Sequence, residues 1–173
     1  MRQELIASTH PETRPENMIS GKNWRISVLT ESLLRLEYSP DGIFEDRATQ
    51  SVWNRDFPAV RFQCIETDDL LEIITSKAHL IYDKKPFSAN VLSIQAIGDY
   101  SAYHSIWHYG EDFKDLGGTA RTLDEADGAI PLEHGIISRN GFSVMDDSRS
   151  LAIREDGWVE PRRKGCIDIY FWA

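Results

Sequence analysis

The stretch Asp115–Ser148, DLGGTARTLDEADGAIPLEHGIISRNGFSVMDDS, is the most distinctive segment of the sequence. It contains five glycines, an acidic cluster, an apolar centre and a doubled aspartate near its end. The dipeptides Asp127-Gly128 and Asn140-Gly141 accept positive φ angles and are typical of tight turns between strands. The stretch therefore predicts hairpins with one longer acidic loop, and loops are where binding residues concentrate.

Strand-like alternation dominates the chain on the N-terminal side of this stretch. Leu34, Leu36 and Tyr38 alternate with Arg35 and Glu37, and a period of two is the signal of a half-buried strand. Similar short segments lie at 24–30, 60–66, 70–76, 78–83 and 90–97. Many short strands with regular turns predict an all-β, antiparallel β-sandwich, with a closed barrel as the alternative.

The remaining segments complete this prediction. Residues 150–161 read as a hairpin that turns at Asp156-Gly157, and residues 45–57 could contain one helical turn. Residues 1–20 are polar and predict a flexible lead-in, which leaves 21–173 as the β-domain. The apolar end of the chain, residues 165–173, lacks a polar tail, which suggests a strand that continues into a larger protein.

Composition limits the classes of partner. The chain has 173 residues and a formal net charge of −9, which argues against nucleic acid and anionic membranes as partners. Cys64 and Cys166 do not form a disulfide framework, and the N-terminus lacks the apolar region of a secretory signal. We therefore expect a cytoplasmic protein that does not bind a membrane.

Signals for metal binding, nucleophilic catalysis and phosphate loops are weak. His104 and His108 have the spacing of a zinc helix but lack the glutamate between them. Ser138 is not in a G-x-S-x-G elbow, and a triad of residues distant in sequence stays open. Gly117-Gly118 lacks the lysine of a phosphate loop and favours a tight turn. We predict no metal and no cofactor.

Carboxylates are the richest class of candidate site residues. Asp124 and Asp127 lie in the longer loop, where contact with a ligand is plausible. Asp68-Asp69, Asp146-Asp147 and Glu155-Asp156 lie at predicted strand ends, where carboxylates usually cap turns. The 18 aromatic residues could stack on sugar rings or fill the core, and the sequence does not separate these uses.

The opening stretch resembles the end of the N-terminal domain of glycoside hydrolase family 31, the α-glucosidase/α-xylosidase family. The resemblance is carried by the segments 117–124 and 132–148, and residues 168–172 resemble the strand before the family's catalytic barrel. Asn140 and Phe142 stand where aspartate and tryptophan are commoner in the family. All of the matching segments lie in the last third of the chain.

The resemblance implies a non-catalytic β-sandwich similar to galactose mutarotase. This domain would pack on a (β/α)₈ barrel following residue 173, and that barrel would carry both catalytic aspartates of a retaining α-glycosidase. A loop of the domain would reach the substrate pocket, and the best match to it is the segment 121–127. The implied contacts with an α-linked oligosaccharide or glycoside are Asp124, then Asp127, with Arg121 beside them.

Two other functions remain open on the sequence. The first is a stand-alone carbohydrate-binding β-sandwich, which would bind sugars without another domain. The second is a free-standing mutarotase-like enzyme, which would need a histidine acid and a glutamate base facing one cleft. His104, His108 and His134 are available for that role, but no motif ties them to a glutamate.

Overall fold

The computed structural model describes residues 6–98, 105–120 and 122–173 and shows two five-stranded antiparallel sheets. Sheet 1 has the order β1-β2-β3-β12-β9, with β1 Met18–Ser20, β2 Trp24–Val28, β3 Leu33–Tyr38, β9 Ser143–Asp146 and β12 Ile167–Trp172. Sheet 2 has the order β4-β5-β6-β7-β8, with β4 Gln63–Glu66, β5 Leu71–Ile74, β6 Ala78–Tyr82, β7 Leu92–Ala96 and β8 Ile106–His108. A small hairpin pairs β10 Ala152–Ile153 with β11 Val159–Glu160.

The two sheets pack face to face as a β-sandwich. Apolar side chains that alternate along the strands of both sheets form one shared core. The Trp24 ring on β2 meets the Tyr82 ring on β6 with centroids 5.6 Å apart, and the Trp107 ring on β8 lies 6.0 Å from that of Phe171 on β12. The predicted sandwich is confirmed, and the sheets do not close into the alternative barrel because each keeps its own edge strands.

Most of the predicted strands and the hairpin are present. β2 to β7 lie within the segments that alternate in the sequence, and Ile153 pairs with Val159 across the Asp156-Gly157 turn. The first strand lies inside the stretch interpreted as a lead-in. There a 3-10 turn at Pro15–Asn17 precedes β1, and the buried Asn17 accepts a hydrogen bond from the Val60 amide at 2.9 Å.

The outward face of sheet 1 differs from the prediction of half-buried strands. Arg35 and Glu37 point away from the sandwich core as the alternation predicts, yet they are only 1% and 2% exposed. Residues 44–57 and 147–165 cover this face, and Thr49 contacts Asp147 across the cover at 2.8 Å. The prediction of a helical turn in 45–57 is wrong, since these residues contain bends and no helix, and Thr49 is bridged to Ala152.

We call the ionic groups under this cover the buried charge layer. Its members are Arg25, Arg35, Glu37, Arg55, Asp147, Arg162 and Asp168. Arg35 grips Asp168 with two hydrogen bonds of 2.9 and 2.7 Å, and Arg25 grips Glu37 with two of 2.6 and 2.8 Å. Burial alone would lower the pKa of Arg35, but the charges of Asp168 and Glu37 outweigh it and raise that pKa. The layer is a buried structural element in which most of the charged groups pair with one another.

Candidate functional site

Residues 114–139 leave the sandwich between β8 and β9 as a two-stranded projection, which we call the arm. Its two halves are joined by backbone hydrogen bonds from Arg139 to Lys114 (2.9 Å), from Leu116 to Ile137 (2.9 Å) and from Gly118 to Glu133 (2.6 Å). Asp115 and Ser138 form an antiparallel bridge beside them. The arm contains residues 115–139 of the stretch that opens the sequence analysis.

Three glycines let the halves of the arm approach each other closely. A Cβ atom on Gly135 would lie 2.5 Å from the Gly117 carbonyl oxygen, and one on Gly118 would lie 2.7 Å from the His134 carbonyl oxygen. Gly117 also has a φ of +81°, which favours glycine. The Gly117-Gly118 pair therefore serves the contact between the two halves of the arm rather than a phosphate loop.

Asp115 fixes the root of the arm. One carboxylate oxygen accepts hydrogen bonds from the amides of Gly117 (2.6 Å) and Gly135 (2.9 Å), and the other lies 2.8 Å from His134 Nδ1. The Gly135 amide, the His134 ring and the Gly117 amide stabilise the charged carboxylate and lower its pKa to about 2. The backbone conformation at the root is thus tied to one ionised side chain.

The tip of the arm brings together two of the three predicted substrate contacts. Asp124 lies in an exposed turn, closed by a 3.0 Å hydrogen bond from the Ala126 amide to the Leu123 carbonyl, and the exposed Asp127 directly follows this turn. Neither carboxylate has a hydrogen-bond or ion-pair partner within the residues that the structure describes. Arg121, the third predicted contact, lies outside the described residues.

Large aliphatic side chains line the arm without being covered. These are Leu116, Leu123, Leu132, Ile136 and Ile137, each between 56% and 74% exposed. Single exposed apolar residues are ordinary on a protein surface, but a group confined to one projection is typical of a contact surface. The arm thus combines an acidic tip with apolar sides.

A cavity of about 510 Å³ lies at the root of the arm, where the edges of β8 and β9 open. We call it the aromatic cavity. Its walls include the aromatic residues Tyr109, Phe113 and Trp172, the largely buried Trp107, and the acidic residues Glu111, Asp112 and Asp146. Trp172 Nε1 donates to the Ile136 carbonyl at 3.1 Å, which links this cavity to the arm. Aromatic faces beside carboxylates suit a hydroxylated ring, because they offer apolar faces together with hydrogen-bond acceptors.

A second cavity, of about 590 Å³, lies between residues 146–151 and 161–167. We call it the basic cavity, because its walls include the side chains of Arg149, Arg162, Arg163 and Lys164. Tyr109 and Asp146 line both cavities, so the two adjoin along the open edge of the sandwich.

Two of the three histidines considered from the sequence have partners within the protein. His104 lies outside the described residues, and His108 Nδ1 is 3.1 Å from the Ala89 carbonyl oxygen. His134 is held by Asp115. Among the described residues there is no group of three or more potential metal ligands, and the structure there has no helix with the length and apolar character needed to cross a bilayer.

Neither cavity was predicted from the sequence, although residues that line each of them form a recognisable run. The signal for the basic cavity is the run Arg162–Lys164 before Gly165, where three consecutive cations precede a turn in an acidic protein. The signal for the aromatic cavity is Glu111–Phe113, which places two carboxylates and an aromatic ring close to Tyr109 in the sequence. Neither signal shows that residues from β9 and β12 complete the walls.

No family model matches this chain, and a search of curated proteins finds no match either. The resemblance to glycoside hydrolase family 31 therefore remains a prediction from the residues themselves.

Proposed function

We propose that this chain is the non-catalytic N-terminal domain of a retaining α-glycosidase that hydrolyses α-linked glycosides in the cytoplasm. The sandwich would be of the galactose-mutarotase type and would pack on a (β/α)₈ barrel that carries the catalytic residues. The proposal is supported by the sequence resemblance and by the arm, whose acidic tip and apolar sides stand away from the sandwich.

The apolar sides of the arm are the observation that carries the proposal. Burial of apolar surface is worth about 25 cal/mol per Å², so covering five large aliphatic side chains would stabilise a contact with a neighbouring domain. The root is ordered by Asp115 and the glycines, which means that the arm can meet a second surface without first folding. A preformed arm lowers the entropic cost of that contact.

The tip would contribute to substrate recognition rather than to bond cleavage. The carboxylates of Asp124 and Asp127 would accept hydrogen bonds from sugar hydroxyls, and Arg121 would donate one. The nucleophile and the acid/base of a retaining mechanism lie only about 5–5.5 Å apart across the scissile bond. In this proposal both belong to the barrel, and the arm narrows the mouth of its pocket.

Hydrolysis of 4-nitrophenyl α-glucoside tests this proposal. We expect no turnover by residues 1–173 alone, and turnover by the protein extended through the coding sequence that follows. In the extended protein, Asp124→Ala should lower kcat/KM about tenfold or more, the loss of one charge-assisted hydrogen bond. Glu155→Ala, an exposed carboxylate on the β10–β11 hairpin, is the matched control and should leave kcat/KM unchanged. Turnover by residues 1–173 alone would refute the proposal.

The aromatic cavity favours a second candidate, a carbohydrate-binding sandwich that acts without another domain. Its rings and carboxylates could hold a sugar in this chain alone. Isothermal titration with glucose, xylose, maltose and isomaltose separates the two functions. Saturable binding by residues 1–173 would support the second candidate, and no heat with any of these sugars would contradict it.

A further inference from the structure

The basic cavity has a charge opposite to that of the protein as a whole. The chain carries a formal net charge of −9, yet the cavity walls contain four cationic side chains and one carboxylate, that of Asp146. One oxygen of Asp146 already accepts a hydrogen bond from the Ser148 amide at 2.9 Å. A local excess of positive charge in an acidic protein attracts anions and is screened by salt.

Two of the four cations are neutralised by partners inside the protein. Arg162 belongs to the buried charge layer and donates to Asp168 Oδ2 and to the Asp147 carbonyl, both at 2.7 Å. Arg163 is paired with Asp41. Arg149 and Lys164, by contrast, have no hydrogen-bond or ion-pair partner among the described residues. Arg149 and Lys164 are therefore the two cations of the cavity that a ligand could pair with, opposed only by the carboxylate of Asp146.

The wall that carries these charges is anchored rather than loose. The side chain of Arg162 is only 4% exposed, and its bonds to Asp147 and Asp168 tie residues 161–165 to sheet 1. The Ser148 hydroxyl accepts a hydrogen bond from the Asp168 amide at 2.9 Å and holds the opposite wall to the same strand. Both walls are thus bonded to Asp168 on β12.

The basic cavity adjoins the aromatic cavity at Tyr109 and Asp146. Each cavity is of the size that small organic ligands occupy, roughly 300–1,000 Å³. The basic side suits a dianion, because Arg149 and Lys164 supply two charges and arginine binds phosphate oxygens in pairs. The aromatic side suits a hydroxylated ring.

We propose that these two cavities bind one phosphorylated sugar, with its phosphate beside Arg149 and Lys164 and its ring over Tyr109 in the aromatic cavity. This site goes beyond the proposed function, because it lies along the edge of the sandwich and uses no residue at the tip of the arm. It also gives the chain a ligand of its own, whatever barrel or partner the arm contacts.

Isothermal titration of the chain at low ionic strength tests this site with four probes: glucose 6-phosphate, inorganic phosphate, glycerol 3-phosphate and glucose. We expect saturable binding of glucose 6-phosphate, with the other three at least about tenfold weaker, since each lacks the ring or the charge. Equal affinity for inorganic phosphate or glycerol 3-phosphate would overturn the proposed role of the ring. Equal affinity for glucose would overturn the role of Arg149 and Lys164. No saturation by glucose 6-phosphate would overturn the site itself.

A variant that removes the two charges, compared with a matched control, tests whether the phosphate binds beside Arg149 and Lys164. Arg149→Ala/Lys164→Ala should weaken glucose 6-phosphate binding about threefold to thirtyfold, as expected for two exposed ion pairs. Arg61→Ala/Lys85→Ala removes the same two charges from exposed positions outside both cavities and should change the affinity less than twofold. Equal losses in both variants would contradict the proposal. Because all four side chains are exposed, thermal unfolding should be unchanged and the comparison is independent of folding.

The outcome is also independent of the proposed glycosidase function. That function is tested by hydrolysis and by Asp124→Ala, whereas this site is tested by the affinity of residues 1–173 for a phosphate ester. Binding of glucose 6-phosphate without any α-glycosidase activity in the extended protein would support this site and refute the proposed function. Activity without binding of glucose 6-phosphate would support the proposed function and refute this site.

Discussion

The buried charge layer and the arm use carboxylates in opposite ways. In the layer, Asp168 is fully buried and accepts hydrogen bonds from both Arg35 and Arg162. At the tip of the arm, Asp124 and Asp127 are exposed and have no hydrogen-bond or ion-pair partner within the described residues. A carboxylate whose acceptor sites are filled by arginines holds a structure together, whereas one that an ordered turn presents to solvent is available to a ligand.

The largest effect we expect is the loss of stability on removing Asp168. Asp168→Ala leaves Arg35 and Arg162 buried without their main counter-charge, and breaking a buried ion pair in this way costs about 3–5 kcal/mol. Urea denaturation measures the free energy of unfolding. Asp156→Ala removes the exposed partner of Arg154 and should cost less than about 1 kcal/mol. Similar losses in both variants would contradict the distinction between the layer and the surface.

The next effect is local and concerns the root of the arm. Gly135→Ala places a Cβ atom 2.5 Å from the Gly117 carbonyl oxygen, so the two halves must separate, at a cost of about 1–3 kcal/mol. Hydrogen exchange of the Leu116 and Gly118 amides should accelerate as their bonds to Ile137 and Glu133 open. Gly128→Ala, at a tip position with φ +93° and open space around it, should leave both amides protected. If Gly135→Ala leaves both amides as protected as Gly128→Ala does, the close contact at the root is not what holds the arm together.

The pH dependence of the arm follows from the low pKa of Asp115. The folded pKa, about 2, lies below the ordinary value of 3.8, so the carboxylate stabilises the root above pH 3.8 and loses this effect as pH falls toward 2. The amide resonances of Gly117 and Gly135 should therefore titrate together in NMR spectra with a midpoint near 2. Asp115→Asn should abolish this shared titration. A shared midpoint near 4 would show that these amides do not stabilise the charged carboxylate.

The sequence predicts the sandwich because alternation is a local signal that the core enforces. The Leu34 and Leu36 positions had to face an apolar partner, and sheet 2 provides it. The same alternation could not show that Arg35 and Glu37 are also buried. Their cover comes from residues 44–57, which have no strand pattern, and from residues 147–165, whose predicted hairpin gives no sign of which face it covers.

Of the candidate sites, too, only part could be predicted from the sequence. Asp124 and Asp127 could be named from sequence because they lie three residues apart in one loop. The aromatic and basic cavities could not, because Tyr109 and Asp146 are brought together only by the meeting of the β8 and β9 edges. Residues that lie close together in the sequence can be recognised as a candidate site, whereas a cavity lined by several strands can be recognised only in the structure.

The smallest effect on stability should come from Asp124→Ala, and a small effect is what separates a substrate contact from a structural role. The Asp124 side chain is exposed and has no hydrogen-bond or ion-pair partner in the described part of the chain, so its removal should change the free energy of unfolding by less than about 0.5 kcal/mol. Thermal unfolding of residues 1–173 should therefore match the wild type, while Asp168→Ala does not. A loss above about 1 kcal/mol would mean that Asp124 serves the fold, as Asp168 does, and would remove the reason for assigning it to a substrate. An unchanged stability would show that the Asp124 carboxylate has no part in the fold, which is what the proposed contact with a substrate requires.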